Sequence, residues 1–541
     1  MKLRKDKLIN SICILLLPFV SYGILGPLEM YAASPADFSV SMWTVLLTEG
    51  LTSFIVFAVG CLLLVLLPDN ISRLLTKMVF ILSVISYVQY MFLNRQLARE
   101  DGNRMDWDAM RDTQVINTII WVVLIVALSI GLHYAGKYWN TIGRYVSLGL
   151  AAVQLVAVIS ILLTTPSGSN DTYHLSSAKQ YTVAKDKNII ILIMDSYGNR
   201  MFDAALNDNL DLYNQFKDFT YYNNCDSQYD RTYPTVTSMI TGIPFDFDSE
   251  NPESYTTKAW ESDRNNRFFD ILHDNGWEFD VYASNSGYNY GNLICNSDKI
   301  DNTEYVEGSI RWKRLLLHFT KTSIYKFAPY IVKPYFEEIT SDFRDINEYP
   351  NSFDDHLEHL SRILDENGLS VLDSTSNRIT IFHTFGAHDA KSTEDLELCH
   401  DFIENYFDEL KRIGMYDNST IIVTADHGMM WSFEGQDPQP MFLIKNKNET
   451  GDRMKISTAP ISEEDFQATI LKLTELNQYN EDNSFGKSIF EFKDDEVRER
   501  TVYFKESDNK YAGYTYNTNR EELLQLLKTG PSVYGEKNSE Q

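Results

Sequence analysis

Asp195, Thr232, Asp426 and His427 are the residues of this chain whose types and settings can do chemistry together. Asp195 closes the run NIIILIMD, Thr232 opens TYPTVTSMITG, and Asp426 and His427 close TIIVTADH. Two carboxylates, an imidazole and a hydroxyl make an oxygen-and-nitrogen cage for one divalent cation. A threonine hydroxyl is a weak nucleophile at neutral pH unless a base or a metal activates it, so the cation and the nucleophile account for each other.

The flanking segments say how these groups are positioned. Asn188 to Met194 is a nearly unbroken apolar run, and Ile421 to Val423 leads through Thr424 to Asp426, the pattern of parallel strands covered on both faces. Ligands of open α/β sheets collect at the carboxyl ends of strands, so both acidic positions are expected in one crevice. After Thr232, Tyr233 and Pro234, the run to Gly242 reads as a helix entered near proline and closed by glycine. The Thr232 hydroxyl then sits at a helix N-terminus, where unpaired N–H groups and the dipole favour an alkoxide or a covalent phosphate. WEFDVYAS and NRITIFHTF alternate with helical segments such as NNRFFDILHDNG, which predicts an α/β/α sandwich.

These motifs resemble the sulfatase-like branch of the alkaline phosphatase superfamily. Thr232, Pro234 and MITG ending at Gly242 reproduce the nucleophile, proline and glycine spacing of sulfatases. ITIFHTFGAHDA is similar to the histidine-containing segment of lipoteichoic acid synthases and phosphoethanolamine transferases, and ISEEDFQATILKLTELNQYNEDNSFGKSIF looks like the closing part of these enzymes. The resemblance runs from about Lys187 to about Phe490. It implies an α/β/α sandwich of the alkaline phosphatase/sulfatase type, with Thr232 as nucleophile and Asp195, Thr232, Asp426 and His427 as metal ligands. It further implies His388, and in second place His383, as contacts to the substrate phosphate or leaving group.

Departures narrow the expectation. Threonine stands where sulfatases carry the cysteine or serine that becomes formylglycine, which argues against sulfate ester hydrolysis. Asp195 stands where the transferases usually carry glutamate, and Gln439 lies near the place of a further histidine in phosphoethanolamine transferases. The extra ligands of two-metal phosphatases are not found, so a single ion is expected. One nitrogen and hard oxygens suit Mn²⁺ or Zn²⁺, with Mg²⁺ also open. The resemblance points to manganese for the lipoteichoic group and to zinc for the phosphoethanolamine group.

The first third of the chain is of another kind. Lys2, Arg4, Lys5 and Lys7 precede an apolar stretch from about Leu8 to Leu28, and further stretches run from Met42 to Leu67, Leu75 to Leu93, Asn117 to Ala135 and Ile142 to Thr164. Spans of roughly 20 apolar residues cross a bilayer. The basic N-terminus, Arg73 and Lys77 after the second span, and Lys137 and Arg144 after the fourth place these ends inside. Arg95, Arg99, Arg104 and Arg111 after the third span count the other way, but acidic residues are interleaved with them. Five crossings then put everything after Ser167 outside the cytoplasm of a bacterial cytoplasmic membrane. EMYAAS also reads as a signal-peptide end, and removal of the first span would leave the large domain on the same side. The predicted organisation is a membrane domain of about five transmembrane helices over residues 1–165, a polar linker over 166–186, and an extracytoplasmic sulfatase-like catalytic domain over 187–541.

A net charge of −27 argues against a nucleic-acid partner. Cys13 and Cys61 fall in spans, which leaves Cys225, Cys295 and Cys399 for at most one disulfide, with Cys225 and Cys295 the pair open to it. Cys399 lies on an amphipathic helix face with Phe402, Ile403, Tyr406, Phe407 and Leu410, as a packing residue does. The aromatic, basic segment from Leu315 to Phe336 has two readings: a surface lying on lipid headgroups, or an insertion packed on the domain core or on the loop after the third span. The second is favoured.

The predicted protein is a membrane-anchored, metal-dependent phosphotransferase. It moves a phospholipid headgroup, phosphoglycerol or phosphoethanolamine, to a cell-surface glycan or polymer through a phospho-threonine intermediate. Two other readings stay open, a metal-dependent phosphodiesterase or sulfatase-type hydrolase and a non-catalytic lipid-binding regulator on the same fold. The residues name neither the headgroup, the acceptor nor the oligomeric state.

Overall fold

The computed structural model describes the chain except residues 1, 34, 36–37, 39, 97–104, 106, 108–109, 167–171, 246, 248–251, 285–289, 291–295, 307–309, 339–341, 344–345, 347–351, 429–437, 508–509, 532 and 537–541. Cys295, Arg99, Arg104 and part of the linker after Thr165 therefore lie outside the described residues. Two compact units result: Met1–Thr172 with Val306–Tyr349, and Tyr173–Tyr305 with Pro350–Gln541.

The first unit is built of apolar helices. Among the described residues, four helical stretches are long and apolar enough to cross a membrane, Lys5–Ala33, Met42–Leu66, Asp69–Leu93 and Arg111–Thr164. The last, of 54 residues, is interrupted at Gly136, where φ is +51°, and so consists of Arg111–Ala135 and Trp139–Thr164. Leu47, Leu51, Phe54, Ile55 and Leu62 face outward from Met42–Leu66. An apolar outer surface of this kind is stable against hydrocarbon and not against water. Inside, the first stretch supplies buried Ile14, Leu17, Val20, Leu25 and Leu28.

Val306–Tyr349 belongs to this unit although it lies in sequence within the large domain. Its helix Trp312–Phe327 inserts Leu315, Phe319 and Phe327 among Leu25, Leu28, Tyr31, Met42 and Val45. Glu337 accepts hydrogen bonds from the Met105 N–H and the Trp107 indole of the loop after the third stretch, at 2.8 and 3.0 Å. The aromatic segment thus packs on that loop, as one sequence reading held, and also on the apolar helices themselves. Its apolar face is period-matched to a helix, and other helices supply the partner.

The second unit is organised by a seven-stranded sheet in the order Lys455–Ser457, Thr220–Tyr222, Phe442–Lys445, Ser419–Thr424, Asn188–Met194, Asn377–Thr384, Trp277–Ala283. The last four are mutually parallel, and Phe442–Lys445 joins them antiparallel. Alternation explains the apolar run in Asn188–Met194. Ile190, Leu192 and Met194 enter one core with Phe402 and Tyr406, while Ile189, Ile191 and Ile193 enter the other with Phe268 and Ile470. Both faces are covered, giving the mixed α/β sandwich expected from the sequence. Cys225 and Cys399 are buried free thiols, and burial pushes both up from the ordinary thiol value.

One charged group is set inside this sheet. Arg378, 1% exposed, forms an ion pair with buried Asp280 and hydrogen bonds to the Thr182 carbonyl at 2.6 Å and the Tyr282 hydroxyl at 2.8 Å. Removing one partner of a buried pair leaves the other charge uncompensated. Arg378→Met is expected to destabilise the second unit by about 3–5 kcal/mol, read as a lowered urea midpoint; an unchanged midpoint would show that Asp280 takes up a proton at little cost.

Candidate functional site

The parallel register carries the candidate residues to one edge. Asp195 follows directly on Met194, and Asp426 lies two residues past Thr424, whose register partner is Ile193. On the other side His383 is level with Ile193. Thr232 begins the helix Thr232–Thr241, with Tyr233 in an extended conformation and Gly242 closing the helix at φ +67°.

Around this edge the four residues named as ligands from the sequence converge. Thr232 Oγ1 is 3.5 Å from Asp195 Oδ2 and 3.5 Å from His427 Nε2. His427 Nε2 in turn lies 3.8 Å from Asp195 Oδ1 and 3.5 Å from Asp426 Oδ2. Two atoms each about 2.1 Å from a tetrahedral ion stand about 3.4 Å apart, so these separations suit the edges of a one-ion cage.

Hydrogen bonding agrees with the distances. Asp426, fully buried, accepts the backbone N–H groups of Ser196 and His427 on Oδ1, at 3.1 and 3.0 Å. Its Oδ2 has no hydrogen-bond partner among the described residues, although burying a carboxylate oxygen unpaired is costly. The His427 Nδ1 is 2.6 Å from the Gly428 carbonyl, which can only accept, so Nδ1 carries the hydrogen and the Nε2 lone pair is turned toward the carboxylates and Thr232. The donor set, the orphaned oxygen and the tautomer all fit a divalent cation.

The two histidines of ITIFHTFGAHDA are placed differently with respect to the cage. His383 is buried, with Nε2 3.8 Å from Asp426 Oδ2 and Nδ1 2.9 Å from the Tyr290 hydroxyl. Asp195, His383 and Asp426 offer ligand atoms close enough together to hold an ion, as does, among the described residues, the more exposed group Asp354, Asp355 and His356. His388 is half exposed beyond the Gly386 turn and pairs with Asp389 at 3.2 Å. The turn itself is close, since Ala387 N–H donates to the Asp195 carbonyl at 2.9 Å, so His388 stands on the rim and not in the cage.

Three supporting residues escaped sequence reasoning. Ser196, at φ +62°, turns the chain so that its N–H reaches Asp426 and its hydroxyl donates to Asp195 Oδ1 at 2.7 Å. Gly386 sits where a Cβ would lie 2.3 Å from the Asp195 nitrogen, at φ +54°, which excludes side chains twice over. Tyr290 orients His383. Only the glycine carries a signal readable in sequence, and it is a weak one. Gln439 is buried and donates to the Tyr516 hydroxyl at 2.9 Å, a structural task.

The electrostatics follow from crowding. Burial and the neighbouring Asp426 hold Asp195 above the usual carboxylate range. For Asp426 burial acts upward, but His427 and His383 outweigh it and hold the group below that range. Burial opposes the charged form of His427, yet Asp426 and Asp195 prevail and raise it above imidazole's ordinary value. A proton thus competes for the place a cation would take.

Comparison with known proteins adds family likeness. Residues 380–435 match the family model described as type I phosphodiesterase / nucleotide pyrophosphatase. No curated protein matches the sequence. Solved structures similar to the chain include a protein in the alkaline phosphatase superfamily from Vibrio parahaemolyticus, at 11% identity over 65% of this chain and 80% of that one with a TM-score of 0.34. The lipoteichoic acid synthase LtaP from Listeria monocytogenes is similar at 14% identity over 64% and 92%, TM-score 0.33. The integral membrane lipooligosaccharide phosphoethanolamine transferase A (EptA) from Neisseria meningitidis is similar at 13% identity over 86% and 95%, TM-score 0.30.

Because the ligand form of His427 is neutral, affinity for Mn²⁺ or Zn²⁺ should fall on acidification. The loss should begin at a higher pH than for an unperturbed histidine and approach about tenfold per pH unit below the raised value. Titration calorimetry between pH 8 and pH 5.5 in buffers of different ionisation enthalpy would read both affinity and proton release; pH-independent binding would remove His427 from the ligand set.

Proposed function

We propose that the chain is a membrane-anchored phosphotransferase that takes the phosphorylated headgroup from a phospholipid and hands it to a hydroxyl of a cell-surface glycan or polymer. The observation that carries this reading is the Thr232 hydroxyl, 3.5 Å from both Asp195 and His427 and beside the unpartnered Asp426 oxygen. A lone threonine so placed has no structural reason to be surrounded by two carboxylates and a lone pair.

Asp195, Thr232, Asp426 and His427 would hold one divalent ion, Mn²⁺ or Zn²⁺ with Mg²⁺ also open, which when bound lowers the proton affinity of the Thr232 oxygen and offsets negative charge on the phosphoryl oxygens. Thr232 Oγ1 attacks phosphorus and gives up its proton, an Oγ1–P bond forms, the P–O bond to diacylglycerol breaks, and the departing oxygen takes up one proton, so that the alcohol leaves neutral. His383 lies next to the cage, with Nε2 3.8 Å from Asp426 Oδ2, and His388 on its rim, and either would hand over a proton to an oxygen that comes within its reach. The acceptor hydroxyl then attacks the phospho-threonine and restores Thr232, so one difficult transfer becomes two easier ones. Helix-terminal N–H groups at Thr232 favour the negative charge in both halves.

The five-crossing arrangement with an inside N-terminus would put this edge outside the cytoplasm, where acceptor polymers are. A reaction with water as acceptor would use the same edge, and the two differ in what ends the cycle.

Mass spectrometry of the Thr232 peptide after incubation with phosphatidylglycerol or phosphatidylethanolamine, without acceptor, should show a phosphoglycerol or phosphoethanolamine mass on Thr232. Thr232→Ala should show none and should lower headgroup release by about 10³–10⁶-fold. Full release by the alanine variant would refute the nucleophile; rapid release by the unmodified protein with no acceptor present would turn the reading to a hydrolase.

A further inference from the structure

Within the helical unit a polar seam runs where Trp312–Phe327 packs on Gly26–Ala33 and Met42–Leu66. Thr320, Ser323 and Lys326 follow one another at i, i+3 spacing on one face of that helix. Lys326 Nζ lies 3.4 Å from Glu29 Oε2, and the Tyr90 hydroxyl donates to the other Glu29 oxygen, so this acid is matched by a cation and a donor. Ser323 packs on Gly26, where a Cβ would come within 2.6 Å of the serine oxygen. Thr320 Oγ1 donates to Glu49 Oε2 at 3.3 Å.

Glu49 is the one acidic residue of Met42–Leu66 and is 2% exposed. Its Oε1 has no hydrogen-bond partner among the described residues, and neither has the buried Ser323 hydroxyl. Both protonation states leave something unmade. As a carboxylate Glu49 carries a buried charge with no cation, and as an acid it can donate through Oε2 to Thr320 but still leaves Oε1 without a donor. Along the same seam Glu29 received a lysine and Glu49 received only a hydroxyl. Ionisable side chains within apolar spans are expensive and are kept for what they bind.

We infer that Glu49, with a seam hydroxyl beside it, binds a small exchangeable cation: the ammonium group of an aminophospholipid or a monovalent metal ion. The cation takes in exchangeable form the place that Lys326 fills for Glu29. All of the residues concerned lie in one unit, and none is among the groups around Thr232, so success or failure here is independent of the transferase reading.

The test uses the full chain in phosphatidylglycerol nanodiscs with N-methylglucamine as the only, and bulky, cation. In one arm NaCl or KCl replaces the N-methylglucamine salt at constant ionic strength. In the other, phosphatidylethanolamine replaces part of the lipid. A saturable rise in Tm of about 2–4 °C is expected in at least one arm, and the responding arm identifies the source of the cation. Glu49→Gln, similar in shape and uncharged, should lose that response. The inference is overturned if the unmodified protein responds in neither arm, as a neutral acid satisfied by buried water would behave, or if Glu49→Gln responds equally. Should Glu49→Gln fail to fold, Thr320→Val must at least halve the shift, and an unchanged shift overturns the inference.

Discussion

Two carboxylates that cannot comfortably coexist set the terms for the whole sheet-bearing unit. Asp195 and Asp426 both reach toward the same His427 nitrogen, at 3.8 and 3.5 Å, in a place from which water is largely excluded. Like charges so close are tolerated when a cation lies between them or when one takes up a proton. Everything nearby helps to hold the pair: the parallel register that ends two strands side by side, the Ser196 turn that pins Asp426, and the bare backbone of Gly386 against Asp195. An apolar sheet buried on both faces supplies the rigidity that keeps such repulsive groups in place.

The sheet and the gathering of Asp195, Thr232, Asp426 and His427 were legible because each group follows a segment with a clear period or punctuation. A run buried on both faces can be little else than an interior strand, and the glycine at 242 marks the end of the helix that Thr232 opens. The two histidines were harder. They stand five positions apart, and only the sharp turn at Gly386 decides that His383 remains on the strand beside Asp426 while His388 swings to the rim. Tyr290 and Ser196 were not legible at all. One acts across a long stretch of chain and the other through a backbone angle, and neither leaves a pattern in residue types.

Burial without a hydrogen-bond partner recurs among the described residues, at groups with a proposed task and also at others such as the Trp260 indole and both Glu463 oxygens. Arg378 and Asp280 lie in the sheet with their hydrogen bonds filled, as scaffolding requires. The Asp426 oxygen and Glu49 are left incomplete, one at the strand edge and one in an apolar helix. Composition cannot reveal this difference, since it depends on what is absent within a few ångströms.

The helical unit is assembled from two stretches of chain, Met1–Thr172 and Val306–Tyr349, with more than a hundred residues of the other unit between them. At a ribosomal pace of about 5–20 residues per second, Leu25, Leu28 and Met42 wait on the order of ten seconds to a minute for Leu315, Phe319 and Phe327 to be made. A water-soluble fragment started after Thr172 would carry that same apolar helix stripped of its cover. Deleting Val306–Tyr349 from such a fragment removes a sticky surface and leaves every residue around Thr232 in place.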